Sequence, residues 1–201
     1  MKWLTPLLIY LAVAIGIFWI HHAFWALLGF HAAILLSVLL QRSSVPVKIL
    51  LQSKDIRWVI LSIFLCGSSG ISLYFLWPYF GVIDNLPKIV ESFGLSISTW
   101  PVFITYFALV NPWFEEYFWR GYLGNPTRRL YPSDFLYAGF HGIILLGKMQ
   151  VGAILYSLVV LVLAGWLWRQ LSRANEGLLA PVLGHMAADL SILIAIYVRS
   201  V

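Results

Sequence analysis

Two adjacent carboxylates followed four residues later by an arginine stand inside an otherwise apolar stretch: Asn111-Pro112-Trp113-Phe114-Glu115-Glu116-Tyr117-Phe118-Trp119-Arg120-Gly121. Ionisable groups are costly in so apolar a setting and usually carry function there. Glu116 and Arg120 have i,i+4 spacing with the acid first, the favourable order for a helical ion pair. Glu115 lies about 100° around the helix from Glu116, so the two carboxylates are free to take different roles. Pro112 removes a backbone donor and bends the helix just before them. Two further groups stand in later apolar runs: His141, between Gly139 and Gly142, and the pair His185 and Asp189, again i,i+4 on one helix face. A glutamate with a histidine can activate water as a general base, and a second histidine can stabilise an oxyanion. The same groups could instead bind a divalent metal through His141, His185 and a carboxylate. Either chemistry hydrolyses a peptide bond.

The elements that must hold these groups are membrane helices. Of 201 residues, 61% are hydrophobic and 10% charged, against about 25% charged in a soluble domain. Apolar runs of roughly spanning length are Trp3–Ile20, Phe24–Leu40, Trp58–Trp77, Ile97–Leu123, Asp134–Gly147, Val151–Trp168 and Leu178–Val198. The predicted fold is all-α, a polytopic transmembrane helix bundle of seven to eight spans, with residues 1–201 as a single transmembrane domain. The first run follows Lys2 without a small-residue cleavage site and is expected to be retained as a span. His21 and His22 form the turn after it, unless the first two runs make one bent helix.

With the N-terminus in the cytoplasm and seven spans threaded, Lys2, Arg42, Lys48, Lys54, Arg57, Arg128, Arg129, Arg169 and Arg173 fall inside. Lys88, Lys148 and Arg199 fall outside, and Arg120 lies near the inner end of the fourth span, which is a positive-inside pattern. The net charge of +5 is thereby explained as topology, and nucleic acid is not an expected partner. The expected partners are membrane lipid and a membrane-associated protein or peptide substrate. The expected location is the plasma membrane of a prokaryote. The outer loop Pro78–Ser96, with Asp84, Lys88 and Glu91, reads as interfacial or re-entrant, anchored by Trp77, Tyr79 and Phe80. Counted from their inner ends, Glu115, His141 and His185 lie at one depth, roughly 10–12 Å below the cytoplasmic surface. A site at one depth argues for chemistry rather than for a transporter's string of ionisable groups across the membrane.

In order and spacing these residues resemble the motifs of the CAAX protease and bacteriocin-processing enzyme family, which includes the Ras-converting CAAX endopeptidase. The family pattern, EExxxR, then FxxxH, then HxxxN or HxxxD, is similar to Glu115 to Arg120, Tyr137 to His141 and His185 to Asp189, over about residues 100–195. Tyr137 stands where the family usually has Phe. The resemblance implies a glutamate-type intramembrane endopeptidase that uses no metal or other cofactor. It implies that Glu115 and His141 activate the water, that Glu116 and Arg120 brace the site, and that His185 and residue 189 line the oxyanion pocket. Asp189 departs from the asparagine form, since an ionised carboxylate cannot donate to an oxyanion; it is expected to orient His185 instead. A rhomboid-like serine reading, with Ser69 of Gly67-Ser68-Ser69-Gly70 as nucleophile and His185 as base, would leave Glu115, Glu116, Arg120 and His141 unexplained. A non-enzymatic transporter or scaffold is the other alternative. His31 and Cys66 read as packing residues.

Overall fold

The computed structural model describes residues 2–80, 82 and 85–200, so Asp84 of the outer loop lies outside the described residues. Eight α-helices form most of the described chain: α1 (Thr5–Ile15), α2 (Ala23–Leu40), α3 (Ile56–Leu76), α4 (Leu86–Ser92), α5 (Trp100–Glu116), α6 (Pro132–Leu145), α7 (Val151–Asn175) and α8 (Leu179–Ser200). Two are prolonged by π-helical turns, α1 by Gly16–Ile20 and α5 by Tyr117–Tyr122. The all-α expectation holds, and the chain is an integral membrane protein. Five helical stretches are long and apolar enough to cross a bilayer by length and composition, and a wide belt of large apolar side chains faces outward. In lipid such a belt costs nothing, whereas in water it would drive aggregation.

Contacts at the helix ends decide how the chain is threaded. At one face Lys2 sits 5.2 Å from the Tyr122 ring centroid, the Tyr117 hydroxyl donates to Val45 O at 2.6 Å, and the Trp166 indole donates to Arg128 O at 2.8 Å. At the same face Leu178 N–H donates to Ile49 O at 2.9 Å, and Asp55 N–H donates to the Asn175 side chain at 2.8 Å. The opposite face joins Ala23 N–H to Phe93 O at 2.9 Å, Lys148 to the Phe93 ring at 5.0 Å, and Arg199 to Tyr74 O at 2.9 Å. Seven helices therefore run from face to face. The eighth, α4, has only 7 residues and lies at the second face. The α1–α2 boundary is a turn rather than a bend, because His21 takes a left-handed conformation at φ 51°, uncommon for a residue with a side chain.

Close approach at small residues packs the bundle. A Cβ on Gly16 would collide with Ala26, one on Gly70 with the Ser191 backbone and one on Gly184 with Ser62. Gly67 faces Ala187 in ordinary contact. These pairs advance together along both chains, so α3 and α8 lie parallel and nearly touching. Lipid is as apolar as leucine, so such van der Waals fit takes the place of the hydrophobic effect in holding membrane helices together. The Gly67-Ser68-Ser69-Gly70 stretch belongs to this seam.

Candidate active site

The first motif sits at the end of α5, and the chain after it winds as a π-helix. Single π turns are a frequent mark of functional positions in helices. Glu115 and Glu116 are both buried, and they face different partners. Glu116 Oε1 lies 2.8 Å from His185 Nδ1 and 3.1 Å from Arg120 Nη1. The arginine approaches off the direction of a hydrogen bond, so that contact is ionic. The Arg120 guanidinium also lies 4.1 Å from the Tyr137 ring centroid and 5.0 Å from that of Trp168. Planar stacking of this kind suits a guanidinium and is worth most where water is excluded. Gly165 on α7 makes room for it: a Cβ there would lie 3.3 Å from Arg120 Nη2 and 3.2 Å from the Tyr137 ring.

His185 is held on every side. Its Nδ1 faces Glu116, its Nε2 lies 3.5 Å from Asp189 Oδ1, and its ring stacks on Trp168 at 4.3 Å between centroids. The expectation that Asp189 orients this histidine therefore needs qualifying. The shorter, well-directed contact is with Glu116 on another helix, and the i,i+4 contact within α8 is the longer one.

His141, on α6, donates from Nδ1 to the carbonyl of Tyr137 at 2.9 Å. That bond fixes the proton on Nδ1 in the neutral ring and leaves the Nε2 lone pair free. The Tyr137 ring stands between the two histidines, with its centroid 4.9 Å from the His141 ring and 6.2 Å from the His185 ring. This position explains why an aromatic side chain is wanted four residues before His141. The glycines flanking His141 do admit neighbours: Gly139 meets the Tyr10 hydroxyl from α1, and a Cβ on Gly142 would lie 3.3 Å from Leu158 of α7.

Glu115 has no direct bond to either histidine among the described residues. Its Oε1 accepts from Asn111 Nδ2 at 2.7 Å, and the same amide nitrogen lies 3.5 Å from Asp189 Oδ2. Glu115 Oε2 is buried and has no hydrogen-bond partner among the described residues. Thus α5 and α8 interlock through Glu116–His185 and Asn111–Asp189, and α6 joins through Tyr137.

Three features escaped the sequence reading. Asn111 is one, and its signal is an asparagine in an apolar span one turn before a glutamate. His31, expected as an isolated packing residue, reaches Asn111 Oδ1 with its Nε2 at 3.1 Å. Arg169, expected only as one of the charges on the cytoplasmic side, is buried and pairs with Asp134 at 2.7 Å. It also donates to the carbonyls of Asn125, Thr127 and Arg129, so it clamps the loop between the first two motifs. No three His, Cys, Asp or Glu side chains among the described residues are grouped so as to hold a metal ion. Ser69 makes no hydrogen bond to His185 among the described residues.

Residues 97–191 match the family model described as Type II CAAX prenyl endopeptidase Rce1-like. Comparison with curated proteins and with solved structures gave no match. The matched segment runs from the turn before α5 to the middle of α8 and contains all three motifs. The match supports the CAAX protease and bacteriocin-processing enzyme family for this chain, and with it a membrane hydrolase of the CAAX endopeptidase type.

Proposed function

We propose that the protein is a glutamate-type peptidase in which Glu115 and His141 activate a water molecule and His185 stabilises the oxyanion formed as that water attacks a peptide carbonyl. The observation that carries the reading is the different engagement of the two neighbouring carboxylates. Each keeps its Oε2 without a hydrogen-bond partner among the described residues, but Glu116 is tied through Oε1 to the Arg120 guanidinium and the His185 ring, whereas Glu115 is held at Oε1 only by the neutral amide of Asn111 and has no ion-pair partner among the described residues. A general base needs one fixed, available lone pair in a water-poor setting. His141 has a second such lone pair at Nε2, with its tautomer set by the Tyr137 carbonyl. His185 Nδ1–H is committed to Glu116, so Nε2 is the nitrogen that would face an oxyanion, with Asp189 beside it. One such donor contributes about 3 kcal/mol to transition-state stabilisation.

Glu116 and Arg120 act in this reading as the brace that fixes His185. Activation of water without a metal is favoured because carboxylates stand at both ring nitrogens of His185, leaving it poorly placed as a metal ligand. The whole chain, residues 1–201, works as one transmembrane unit, with its N-terminus and the inner ends of the motif helices on the cytoplasmic side. The asymmetric distribution of Lys and Arg supports this orientation.

The family description names prenylated CAAX ends, and a prenylated peptide is the substrate to try first. Purified protein in proteoliposomes is offered an internally quenched farnesylated peptide ending in a CAAX sequence. Cleavage is expected, with a loss of at least a thousandfold in Glu115→Gln, on the order of what removal of a general base together with its alignment costs. Full activity in Glu115→Gln would reject the assignment. Activity abolished by a membrane-permeant chelator and restored by stoichiometric zinc would replace it with a metal mechanism.

A further inference from the structure

We propose that His31, acting through Asn111, is a positioning residue for Glu115, so that the peptidase site extends into α2, outside the segment that carries the three motifs. The inference rests on Glu115 being the water-activating group.

Four side chains form an unbroken line, half-buried at Tyr106 and buried from His31 onward. The Tyr106 hydroxyl lies 3.2 Å from His31 Nδ1, His31 Nε2 lies 3.1 Å from Asn111 Oδ1, and Asn111 Nδ2 lies 2.7 Å from Glu115 Oε1. The chemistry of the end group orients the line. An ionised carboxylate can only accept, so Asn111 must present its NH2 to Glu115 and its carbonyl oxygen to His31. His31 must then carry a hydrogen on Nε2. In the neutral ring Nδ1 is left to accept from the Tyr106 hydroxyl. With Glu115 ionised each contact sets a donor against an acceptor, and the reverse direction fails because it would set the Asn111 carbonyl oxygen against the carboxylate.

Geometry holds the histidine independently of its hydrogen bonds. Its ring stacks on Phe114 at 4.2 Å between centroids and 13° between planes, and Phe114 is the residue before Glu115. Phe30 and Tyr106 pack on its other sides. His31 and Asn111 are both almost fully buried. An imidazole in the apolar face of a membrane helix is retained at a cost, and here it lies one side chain away from a carboxylate with an unbonded oxygen.

The consequence is a division of labour within Glu115. Asn111 occupies Oε1, and Oε2 is the oxygen left for water. Asn111 alone, one turn earlier on the same helix, could swing with its own side-chain torsions. Anchored at its carbonyl by a histidine from α2, it fixes the carboxylate plane. The line ends on the water-activating carboxylate rather than on a group assigned to substrate binding, so turnover should depend on it and substrate binding should not.

The test uses the full-length protein in proteoliposomes with the farnesylated, internally quenched CAAX peptide. His31→Phe keeps an aromatic ring of similar size and removes the donor. It is expected to lower kcat roughly tenfold to a hundredfold, the range for losing a hydrogen bond in a line that ends on a charged group, with KM within about twofold. His31→Gln, which returns an N–H near the position of Nε2, is expected to recover most of the loss. The Glu115 carboxyl infrared band, assigned from the difference spectrum against Glu115→Gln, should move in His31→Phe and return in His31→Gln.

Wild-type kcat with an unmoved band in His31→Phe would overturn the proposal. So would a loss of kcat that Gln fails to rescue while the band stays put, since that pattern belongs to packing. If His31→Phe does not fold, Tyr106→Phe decides: a severalfold fall in kcat at constant KM supports the line, and wild-type kcat refutes it. Full activity in Glu115→Gln would instead sink the assignment of the base, and the infrared band would still report whether His31 fixes Glu115.

Discussion

Glu116 shows how the neighbourhood of a side chain sets its role. From spacing alone it is half of an i,i+4 ion pair with Arg120, a contact worth a few tenths of a kcal/mol on an exposed helix. Buried, its Oε1 also meets His185 from α8, so one oxygen holds a cation and an imidazole together. Removing one partner of such a buried cluster leaves the others uncompensated, at a cost of about 3–5 kcal/mol. Glu116→Gln is therefore expected to lower stability by that order, measured by reversible unfolding in mixed micelles, and to lower kcat as His185 loses its shortest contact. Asp189→Asn removes only the longer contact at Nε2, 3.5 Å away. Its kcat is expected to exceed that of Glu116→Gln by about tenfold or more, taking one charged hydrogen bond as the difference. The reverse order in the peptide assay would show that Asp189 is the main orienter of His185. Arg120→Lys keeps the charge and loses the planar face that stacks on Tyr137 and Trp168, so it is expected to restore little relative to Arg120→Ala.

Between helices, glycine decides which side chains can meet. Glu116 reaches His185 because α5 and α8 are drawn together, and α8 is in turn seated on α3 through Gly184 against Ser62 and Gly70 against Ser191. At Gly70 the obstacle to any Cβ is backbone, which cannot rotate away. Gly70→Ala is accordingly expected to cost about 1–3 kcal/mol of stability, in the range of overpacked cores, and to lower activity by shifting α8. Gly29→Ala on α2 is the matched control, because a Cβ there meets nothing within 4 Å. Equal unfolding midpoints for the two variants would refute the account of the α3–α8 seam. Gly165 makes a parallel case on α7. A valine there would press on Arg120 and Tyr137, so activity is expected to fall more than stability.

At the scale of the molecule, the hydrogen bonds and ring contacts at the helix ends sort the loops onto two faces. Arg128, Asn175 and Ile49 belong to one, and Phe93, Lys148 and Tyr74 to the other. Single cysteines introduced in a Cys66→Ser background are expected to label from opposite sides of sealed vesicles at positions 88 and 128. Positions 128 and 173 are expected to label from the same side. Labelling of 88 and 128 from one side would overturn the seven-crossing thread. Cys66 itself, on α3, is buried and is expected to label only after unfolding.

Several results were legible in the residues alone because they depend on local chemistry. Apolar runs broken by basic loops dictate helices that cross a membrane, since no other backbone arrangement of this composition satisfies its hydrogen bonds in lipid. The types and spacings Glu115-Glu116-x-x-x-Arg120, Tyr137-x-x-x-His141 and His185-x-x-x-Asp189 marked the family, because i,i+4 pairs on helices are fixed by the helical repeat. Other features required the tertiary structure, because they join residues far apart in the chain. The partner of Glu116 across helices, the burial of Arg169 against Asp134 and the parallel seating of α3 on α8 leave no periodic trace. The line from His31 to Glu115 is the clearest case. An isolated histidine in α2 and an asparagine in α5 are 80 residues apart. Only the packing of those two helices makes them neighbours and turns two unremarkable polar side chains into an oriented hydrogen-bonded path.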